Sequence, residues 1–262
     1  MTIENIILYI LKHLPKFVIR FLAGKPEIID GFQLDSNIQI VAKIADKKIS
    51  KERITVEDYR SDAEEFEKIA PKRCKEIKIE DQVFDLGGFY NKVRIYSPKI
   101  DSDFLPAVLF FHQGGLVLFD HLTNDHFCSL ISRECKAKVI SLDYRRCPEV
   151  SFPQPINDCF NLWSYIQSNA KKFGIDSSRV ALAGDSAGGL ISLTLSIELK
   201  KQEKKPAAIC VAYPWVTTSM ENQNSLETCA DTFPLNRKTV DFFRQTVFPN
   251  DFNIEHEWAN PL

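Results

Sequence analysis

Four short apolar runs in the middle of the chain constrain its fold more than any other feature. They read PAVLFFH, AKVISLDYR, VALAGDS and AAICVAYP and end at His112, Arg145, Ser186 and Pro214. Each run is apolar almost throughout rather than at every second residue, which is typical of strands covered on both faces. Helix-like stretches such as 158–172 lie between them. The pattern predicts an α/β fold with a doubly wound, mostly parallel sheet.

Two further parts of the chain precede these runs. The segments KEIKIEDQVF and YNKVRIYSP enclose DLGG at 85–88, which indicates a β-hairpin. Residues 1–70 are charged and helix-like. We therefore interpret 1–70 as an N-terminal helical cap region and 71–262 as one α/β domain.

The first helix-like segment, IENIILYILKHLPKFVIRFLAG, is amphipathic. One face of this helix carries Ile7, Ile10, Leu11, Leu14, Val18 and Phe21. Another face carries Lys12, Lys16 and Arg20, so the segment is too charged to span a bilayer. We expect the helix to lie on the rest of the protein. The alternative is reversible docking on an anionic membrane surface.

Composition argues against several classes of function. A net charge of −2 gives no electrostatic reason to expect a nucleic-acid partner. The seven cysteines are odd in number and form no CxxC pair, which indicates a reduced, cytoplasmic protein. The sequence holds no closely spaced cysteine or histidine pairs, so we expect neither a metal nor another cofactor.

The hexapeptide GDSAGG, at residues 184–189, fits the G-x-S-x-G pattern of a nucleophilic serine. A strand-like run precedes Ser186 and a helix-like run follows it, as a tight strand-to-helix turn requires. Gly184 and Gly188 leave room for the two arms of that turn. At the start of the helix, the dipole and the free N–H of Ala187 favour developing negative charge.

A second motif, FFHQGGLVLFD, follows the strand that ends at His112. Its consecutive glycines, Gly114 and Gly115, leave backbone N–H groups unshielded by side chains. Such groups can bind the oxyanion of an acyl-transfer intermediate, and each donor contributes roughly 3–4 kcal/mol in comparable sites.

Three stretches in order, FFHQGG, DYRRCPEVSFPQPINDC and VALAGDSAGGL, resemble the hormone-sensitive-lipase-like carboxylesterases of the α/β-hydrolase fold. The family pattern is HGGG, a DYR-x-x-PE-x-x-FP block and GDSAGG, and the resemblance runs from about residue 20 to the end of the chain. It implies hydrolysis of a small acyl ester with Ser186 as nucleophile. Gly114, Gly115 and Ala187 would supply the oxyanion N–H groups, and the N-terminal helices would cap the acyl pocket. His112 would shape the glycine loop and would not be the base.

The sequence departs from the family pattern at two positions. Gln113 stands where the family has its first glycine, and Leu116 replaces a frequent aromatic residue. The glycines that resemble the oxyanion donors remain. We therefore expect Gln113 to add a bulkier rim to the loop, and Leu116 to alter the shape of the pocket but not its chemistry.

In this fold the triad follows the order Ser, Asp or Glu, His. The chain has five histidines, His13, His112, His121, His126 and His256. Only His256 follows Ser186, and no buried strand precedes it in NDFNIEHEWANPL. The final ANPL resembles the family segment just before the strand that delivers the acid. We therefore expect a C-terminally incomplete fold in which the triad acid and base are missing, with His121, His126 and His256 as weaker candidates for a relocated base.

Loss of the histidine costs a serine hydrolase a factor on the order of 10⁶ in kcat, so activity of the isolated chain is doubtful. Three interpretations stay open. The chain is a shortened ester hydrolase, a half-enzyme completed by a second polypeptide, or a non-catalytic ligand-binding protein of the same fold.

Overall fold

The computed structural model describes residues 13–48, 55–68, 70–220, 223–232, 235–249 and 252–261. The chain divides into two compact units. The first contains residues 1–69 and 220–242, and the second contains residues 70–219 and 243–262. Residues 220–242, which the sequence analysis placed in the α/β domain, therefore cluster with the N-terminal unit.

The N-terminal unit begins with three helices and one small hairpin. In chain order these elements are α1 (Lys16–Ala23), β1 (Ile28–Ile29), β2 (Phe32–Gln33), α2 (Ser36–Lys48) and α3 (Val56–Glu67). The hairpin turns at Asp30 and Gly31, whose φ angles of 51° and 82° are both positive, as a tight two-residue turn requires. The sequence analysis expected only helices here and overlooked this Asp-Gly pair.

The apolar face predicted for the first helix packs only in part. Ile19 and Ala23 are buried against Ile40 of α2, and Leu14 packs beside them. Phe21, expected on the inward face, is 84% exposed. The part of the predicted face before residue 13 lies outside the described residues. Among the described helices, none combines the length and apolar character needed to cross a bilayer.

The second unit is built on one six-stranded sheet. Its strands are β3 (Ile77–Asp85), β4 (Tyr90–Pro98), β5 (Leu105–Phe111), β6 (Lys138–Leu142), β7 (Ile175–Asp185) and β8 (Ile209–Ala212). The strand order is β3–β4–β6–β5–β7–β8. The pairs among β6, β5, β7 and β8 are parallel, whereas β4 is antiparallel to both β3 and β6. The predicted mostly parallel α/β sheet and the hairpin around 85–88 are thus confirmed.

Five further helices follow along the described part of the chain. They are α4 (Asp125–Cys135), α5 (Gln154–Asn169) with a 3₁₀ turn at Ala170–Phe173, α6 (Ala187–Lys201), α7 (Asn224–Thr228) and α8 (Arg237–Val247). Leu109 on β5 and Leu182 on β7 are fully buried, as continuous apolar strands predict. Strand β8 differs, because among the described residues it pairs with β7 alone and its Ile209 is 42% exposed.

Candidate active site

Ser186 occupies the junction between strand β7 and helix α6, with no intervening residue on either side. Asp185 ends the strand and Ala187 begins the helix. The φ of Ser186 is 51° and its ψ is −115°, an unusual conformation for a residue with a side chain. Backbone strain of this kind persists only where the surroundings fix it. Here the Ser186 N–H donates to the Ala212 carbonyl, and the Trp215 N–H donates to the Ser186 carbonyl, each at 3.0 Å.

Glycines allow this junction to lie directly against the end of strand β5. A Cβ on Gly184 would collide with the backbone of Gly188 and would meet the Phe111 carbonyl oxygen at 2.7 Å. A Cβ on Gly188 would collide with the same Phe111 oxygen. The two predicted motifs, GDSAGG and FFHQGG, are therefore neighbours in space.

The glycine loop after β5 is a compact turn with several unusual backbone angles. The φ of Gly114 is 119° and that of Gly115 is 61°. The Gly114 carbonyl accepts hydrogen bonds from the N–H groups of Val117 and Leu118, at 3.0 and 2.8 Å. Within the described part of the chain, no hydrogen bond uses the N–H of Gly114, Gly115 or Ala187. These three N–H groups are free to bind an anion.

His112 is fully buried beneath this loop and supports it. Its Nδ1 lies 2.6 Å from the Gln113 carbonyl oxygen, which fits a neutral ring that donates from Nδ1. The Tyr144 hydroxyl donates to the His112 carbonyl at 2.8 Å. Burial lowers the pKa of His112 to about 3, so the ring stays neutral near pH 7.

Residues of the DYRRCPE block donate hydrogen bonds to backbone carbonyls of the same loop. Arg146 donates from Nη1 to the Phe119 carbonyl, and the Cys147 N–H donates to the Leu116 carbonyl at 2.8 Å. Leu116, where the sequence departs from the family pattern, is fully buried at a φ of 62°. The other departure, Gln113, is partly buried.

The neighbouring Arg145 anchors the block in the core rather than at the site. Its guanidinium pairs with the buried Asp158 carboxylate of α5, at 2.5 Å from Nη2 to Oδ1. The Arg145 N–H also donates to Asp158, at 3.0 Å. The three motifs therefore occur together because the DYRRCPE block fixes the glycine loop, and the strand that carries this loop lies against the serine turn.

The sequence analysis missed Asp185, the residue before the candidate nucleophile. Its side chain is 4% exposed and accepts hydrogen bonds from Asn124 Nδ2 at 3.0 Å and from the Tyr213 hydroxyl at 3.1 Å. Burial raises the pKa of Asp185, whereas these two donors and the backbone amide of Gln113 lower it. The carboxylate therefore links the serine turn to the glycine loop and to the segment after β8. In the sequence, the one signal for this role was the position of an acidic residue between Gly184 and Ser186.

His121 and His126 follow the glycine loop in the sequence, and the contacts of their rings are with Asp143 and Lys72. His121 Nδ1 lies 3.7 Å from the Asp143 carboxylate, at the ends of β6 and β4. Burial lowers the pKa of His121, and Asp143 acts in the opposite direction. His126 Nδ1 lies 2.6 Å from the Lys72 carbonyl oxygen.

His256 lies beside the far half of helix α6. It accepts a hydrogen bond at Nδ1 from the Trp258 N–H at 3.1 Å, and Trp258 Nε1 in turn donates to Glu198 at 2.7 Å. Glu198 is twelve residues after Ser186, about 18 Å along the helix axis. In the described part of the chain, no hydrogen bond joins the Ser186 side chain to any histidine.

In the described ranges, no group of three or more His, Cys, Asp or Glu side chains is arranged to hold a metal ion. A cavity of about 770 Å³ lies in the N-terminal unit, between α1 and the segment 33–41. None of the candidate site residues lines this cavity.

A family model described as an α/β-hydrolase fold matches residues 108–262. The chain is 33% identical over 185 residues to carboxylesterase NlhH of Mycobacterium tuberculosis, which covers 70% of this chain and 57% of that protein. It is 31% identical over 196 residues to an arylesterase of Saccharolobus solfataricus, which covers 72% and 58%. The chain therefore spans less than two thirds of the length of these curated relatives.

Solved structures give the same likeness. A hyperthermophilic esterase from the archaeon Pyrobaculum calidifontis is similar with a TM-score of 0.77 and 27% identity, over 85% of this chain and 74% of that one. The thermophilic carboxylesterase EstE1, cloned from a metagenomic library, is similar with a TM-score of 0.74 and 28% identity, over 80% and 72%.

Proposed function

Because this chain belongs to the hormone-sensitive-lipase-like carboxylesterase family of the α/β-hydrolase fold, we propose that it carries the nucleophile and oxyanion half of a carboxylic ester hydrolase. The substrate is a small acyl ester, and the reaction passes through an acyl-enzyme on Ser186. The observation that carries this proposal is the Ser186 junction at a φ of 51°, directly against the glycine loop.

In the first step, Ser186 Oγ attacks the ester carbonyl carbon and its proton passes to a base. The carbonyl oxygen gains negative charge and accepts hydrogen bonds from the N–H groups of Gly114, Gly115 and Ala187. These backbone donors are fixed before the reaction, so little free energy is spent on reorganising them. Each donor stabilises the transition state by roughly 3–4 kcal/mol. Collapse of the intermediate expels the alcohol, and water then hydrolyses the acyl-enzyme through the same oxyanion site.

We propose that the triad acid and base come from sequence other than residues 1–262. Support comes from the histidines, since His121 faces Asp143, His126 contacts Lys72 and His256 lies beside Trp258. Among the described residues β8 has a partner on one side only, which offers a place for further strands of this polypeptide or of a second one. We propose that the protein works in the cytoplasm, because none of the seven cysteines forms a disulfide within the described residues.

Covalent labelling of the 262-residue chain tests the nucleophile. An organophosphonate probe should modify Ser186 alone, as mapped by peptide mass spectrometry, and Ser186→Ala should abolish the labelling. Ser178→Ala is the matched control, because Ser178 is an exposed serine on the same strand. Labelling that persists in Ser186→Ala would refute the assignment.

Turnover tests the missing base. The 262-residue chain should hydrolyse p-nitrophenyl butyrate only at a residual rate, roughly 10³–10⁴-fold above water, because the oxyanion site and binding remain. Robust turnover that depends on Ser186 would overturn this part of the proposal. In that event the His121→Ala, His126→Ala and His256→Ala variants would identify the base.

The second candidate function is ligand binding without catalysis. The contacts of His121, His126 and His256 with Asp143, Lys72 and Trp258 favour it, since binding at the oxyanion site does not require a base. A binding protein would retain an acyl ligand in equilibrium dialysis, yet it would gain no turnover when a C-terminal segment from a longer relative is added in trans. Gain of Ser186-dependent turnover in that experiment would reject this candidate.

A further inference from the structure

Helix α1 presents phenylalanine side chains on the face opposite to its packed one. Phe17 and Phe21 are 74% and 84% exposed, whereas Ile19 and Ala23 are 4% and 2% exposed. With 3.6 residues per turn, the two phenylalanines lie next to each other and opposite Ile19 and Ala23. The inward face of α1 is therefore satisfied, and its aromatic face is not.

Further apolar side chains are exposed near the end of this helix and in the hairpin that follows it. They are Leu22 at 53%, Ile28 at 61% and Phe32 at 81%. We call Phe17 and Phe21 together the aromatic surface, because Ile28 pairs with Gln33 and Ile29 with Phe32, which puts Ile28 and Phe32 on opposite faces of the hairpin. These two phenylalanines are exposed side by side on one face of α1, whereas single exposed apolar residues are normal on any protein.

The segment that carries the aromatic surface is held in place by polar contacts. Gln39 Nε2 donates to the carbonyls of Ala23 and Lys25 at 3.2 and 2.7 Å, which fixes the end of α1 to α2. The Leu34 N–H donates to the Glu27 carbonyl at 2.9 Å and closes the base of the hairpin. These contacts hold the end of α1 against α2 and keep the hairpin closed.

The charged residues of α1 are both cations. Lys16 and Arg20 are exposed, and the helix contains no aspartate or glutamate. Hydrogen bonds from Asn37 lower the pKa of Asp35, and the Lys16 charge contributes to this shift, so one acid lies within reach of Lys16. Arg20 adjoins Phe21 in the sequence. Cations beside exposed phenylalanines complement a surface with anionic head groups over an apolar interior.

We propose that the aromatic surface docks this protein on an anionic phospholipid membrane, with α1 lying in the plane of the interface. Helix α1 has 8 residues and is about 12 Å long, far short of the roughly 30 Å of a bilayer core, so it rests on the membrane and does not span it. The phenylalanines enter the acyl boundary, and Lys16 and Arg20 contact the phosphate groups.

A second copy of the chain fits this surface less well than lipid. A two-fold contact between two copies of α1 would bring Lys16 and Arg20 of each copy toward the same residues of the other. Like charges brought close together are destabilising, whereas anionic lipid neutralises them. The inference does not depend on the proposed ester hydrolysis, because it involves only residues of the N-terminal unit.

Vesicle flotation with the full 262-residue chain tests the proposal. We expect the chain to bind vesicles of phosphatidylserine and phosphatidylcholine in equal parts, at least about tenfold more strongly than vesicles of phosphatidylcholine alone. Phe17→Ser together with Phe21→Ser should weaken this binding by about tenfold or more. Lys16→Glu together with Arg20→Glu should remove the preference for phosphatidylserine.

Tyr90→Ser is the matched control, because Tyr90 is 78% exposed on the β3–β4 hairpin of the other unit, and its binding should equal that of the parent chain. Circular dichroism should show that the Phe17 and Phe21 variants fold normally. Equal binding by the Phe17→Ser/Phe21→Ser variant and the parent, or equal binding to both vesicle types, would overturn the proposal. So would the absence of vesicle binding combined with a dimer, seen by light scattering, that the same variant abolishes.

Discussion

The ring of Tyr144 stacks on the ring of His112, with centroids 4.1 Å apart and planes within 6° of parallel. Both residues are at most 1% exposed, and the Tyr144 hydroxyl donates to the His112 carbonyl at 2.8 Å. The tyrosine of the DYRR block thus supports the first residue of the glycine loop through both its ring and its hydroxyl. The shape of the glycine loop therefore depends on a residue that is 32 positions away from His112 in sequence.

Removal of the Tyr144 hydroxyl should reduce the stability of the fold. Tyr144→Phe keeps the ring stack but leaves the buried His112 carbonyl without this donor. We expect the free energy of unfolding to fall by about 1–3 kcal/mol, the penalty for a buried group that loses its partner. Urea unfolding measures the change, and Tyr90→Phe, at an exposed position, should change it by less than about 0.5 kcal/mol. Equal effects of the two substitutions would contradict the supporting role of the Tyr144 hydroxyl.

Neutral, buried His112 should make the fold sensitive to acid. Its pKa is about 3 in the folded protein and near 6.5 in the unfolded chain, so the unfolded chain takes up a proton first as the pH falls. Stability should therefore decline from about pH 6.5 toward pH 3, by about 1.4 kcal/mol per pH unit from this group.

His112→Asn tests this acid sensitivity, because an asparagine amide does not titrate. The variant should be less stable at pH 7. However, its free energy of unfolding should fall by about 1.4 kcal/mol less between pH 6 and pH 5 than that of the parent chain. Parallel stability curves for the two proteins would show that folding does not lower the pKa of His112.

The sequence predicted the sheet and the position of the serine because both follow from local patterns. Continuous apolar runs give buried parallel strands, and a serine between small residues at a strand–helix junction gives the elbow. The Asp30-Gly31 turn was also a local signal, and it was overlooked. By contrast, Asp185 gains its role from Asn124 and Tyr213, which lie 61 and 28 residues away. No periodicity within one element reports such contacts.

The orientation of α1 shows a second limit of sequence patterns. The spacing of apolar residues identifies the apolar side of a helix but not which part of that side meets a neighbour. Phe21 belongs to the predicted apolar face, yet it is exposed. The residues of α1 that are buried against α2 are Ile19 and Ala23. The placement of a helix depends on the shape of the surface that receives it.

The hydrogen bond from Tyr213 to Asp185 should stabilise the fold more when the carboxyl is ionised than when it is protonated. Burial raises the pKa of Asp185, and the Tyr213 hydroxyl lowers it, so Tyr213→Phe should raise it further. The substitution should lower the free energy of unfolding by about 1 kcal/mol at pH 7, and by less at acid pH, where Asp185 is protonated in both proteins.

A double-mutant cycle isolates this Tyr213 effect. Asp185→Asn removes the charge, so Tyr213→Phe in that background should have a smaller effect than in the parent chain, with the difference measured by urea unfolding at pH 7. If Tyr213→Phe destabilises both backgrounds equally, the hydroxyl does not act on the Asp185 carboxylate.

Gly115 should tolerate no side chain, for two separable reasons. Its φ is 61°, a left-handed conformation that costs a residue with a side chain about 1–2 kcal/mol. In addition, an added Cβ would overlap the ring of Phe243 on helix α8, and overpacking of this kind costs about 1–3 kcal/mol. Gly115→Ala should therefore lower the free energy of unfolding by about 2–5 kcal/mol, measured in urea.

Gly88 supplies the matched control for the strain without the collision. Its φ is 89°, and an added Cβ would meet no atom within 4 Å, so Gly88→Ala should cost only the conformational part, about 1–2 kcal/mol.

Truncation of the Phe243 ring should relieve the collision at Gly115. Phe243→Ala and Gly115→Ala together should therefore destabilise the fold by less than the sum of the two single changes. Strict additivity would show that Phe243 does not lie against Gly115. The contact matters for the proposed chemistry because it fixes the position of a backbone N–H that we propose as an oxyanion donor, so the double variant should label more slowly at Ser186 than Gly88→Ala does.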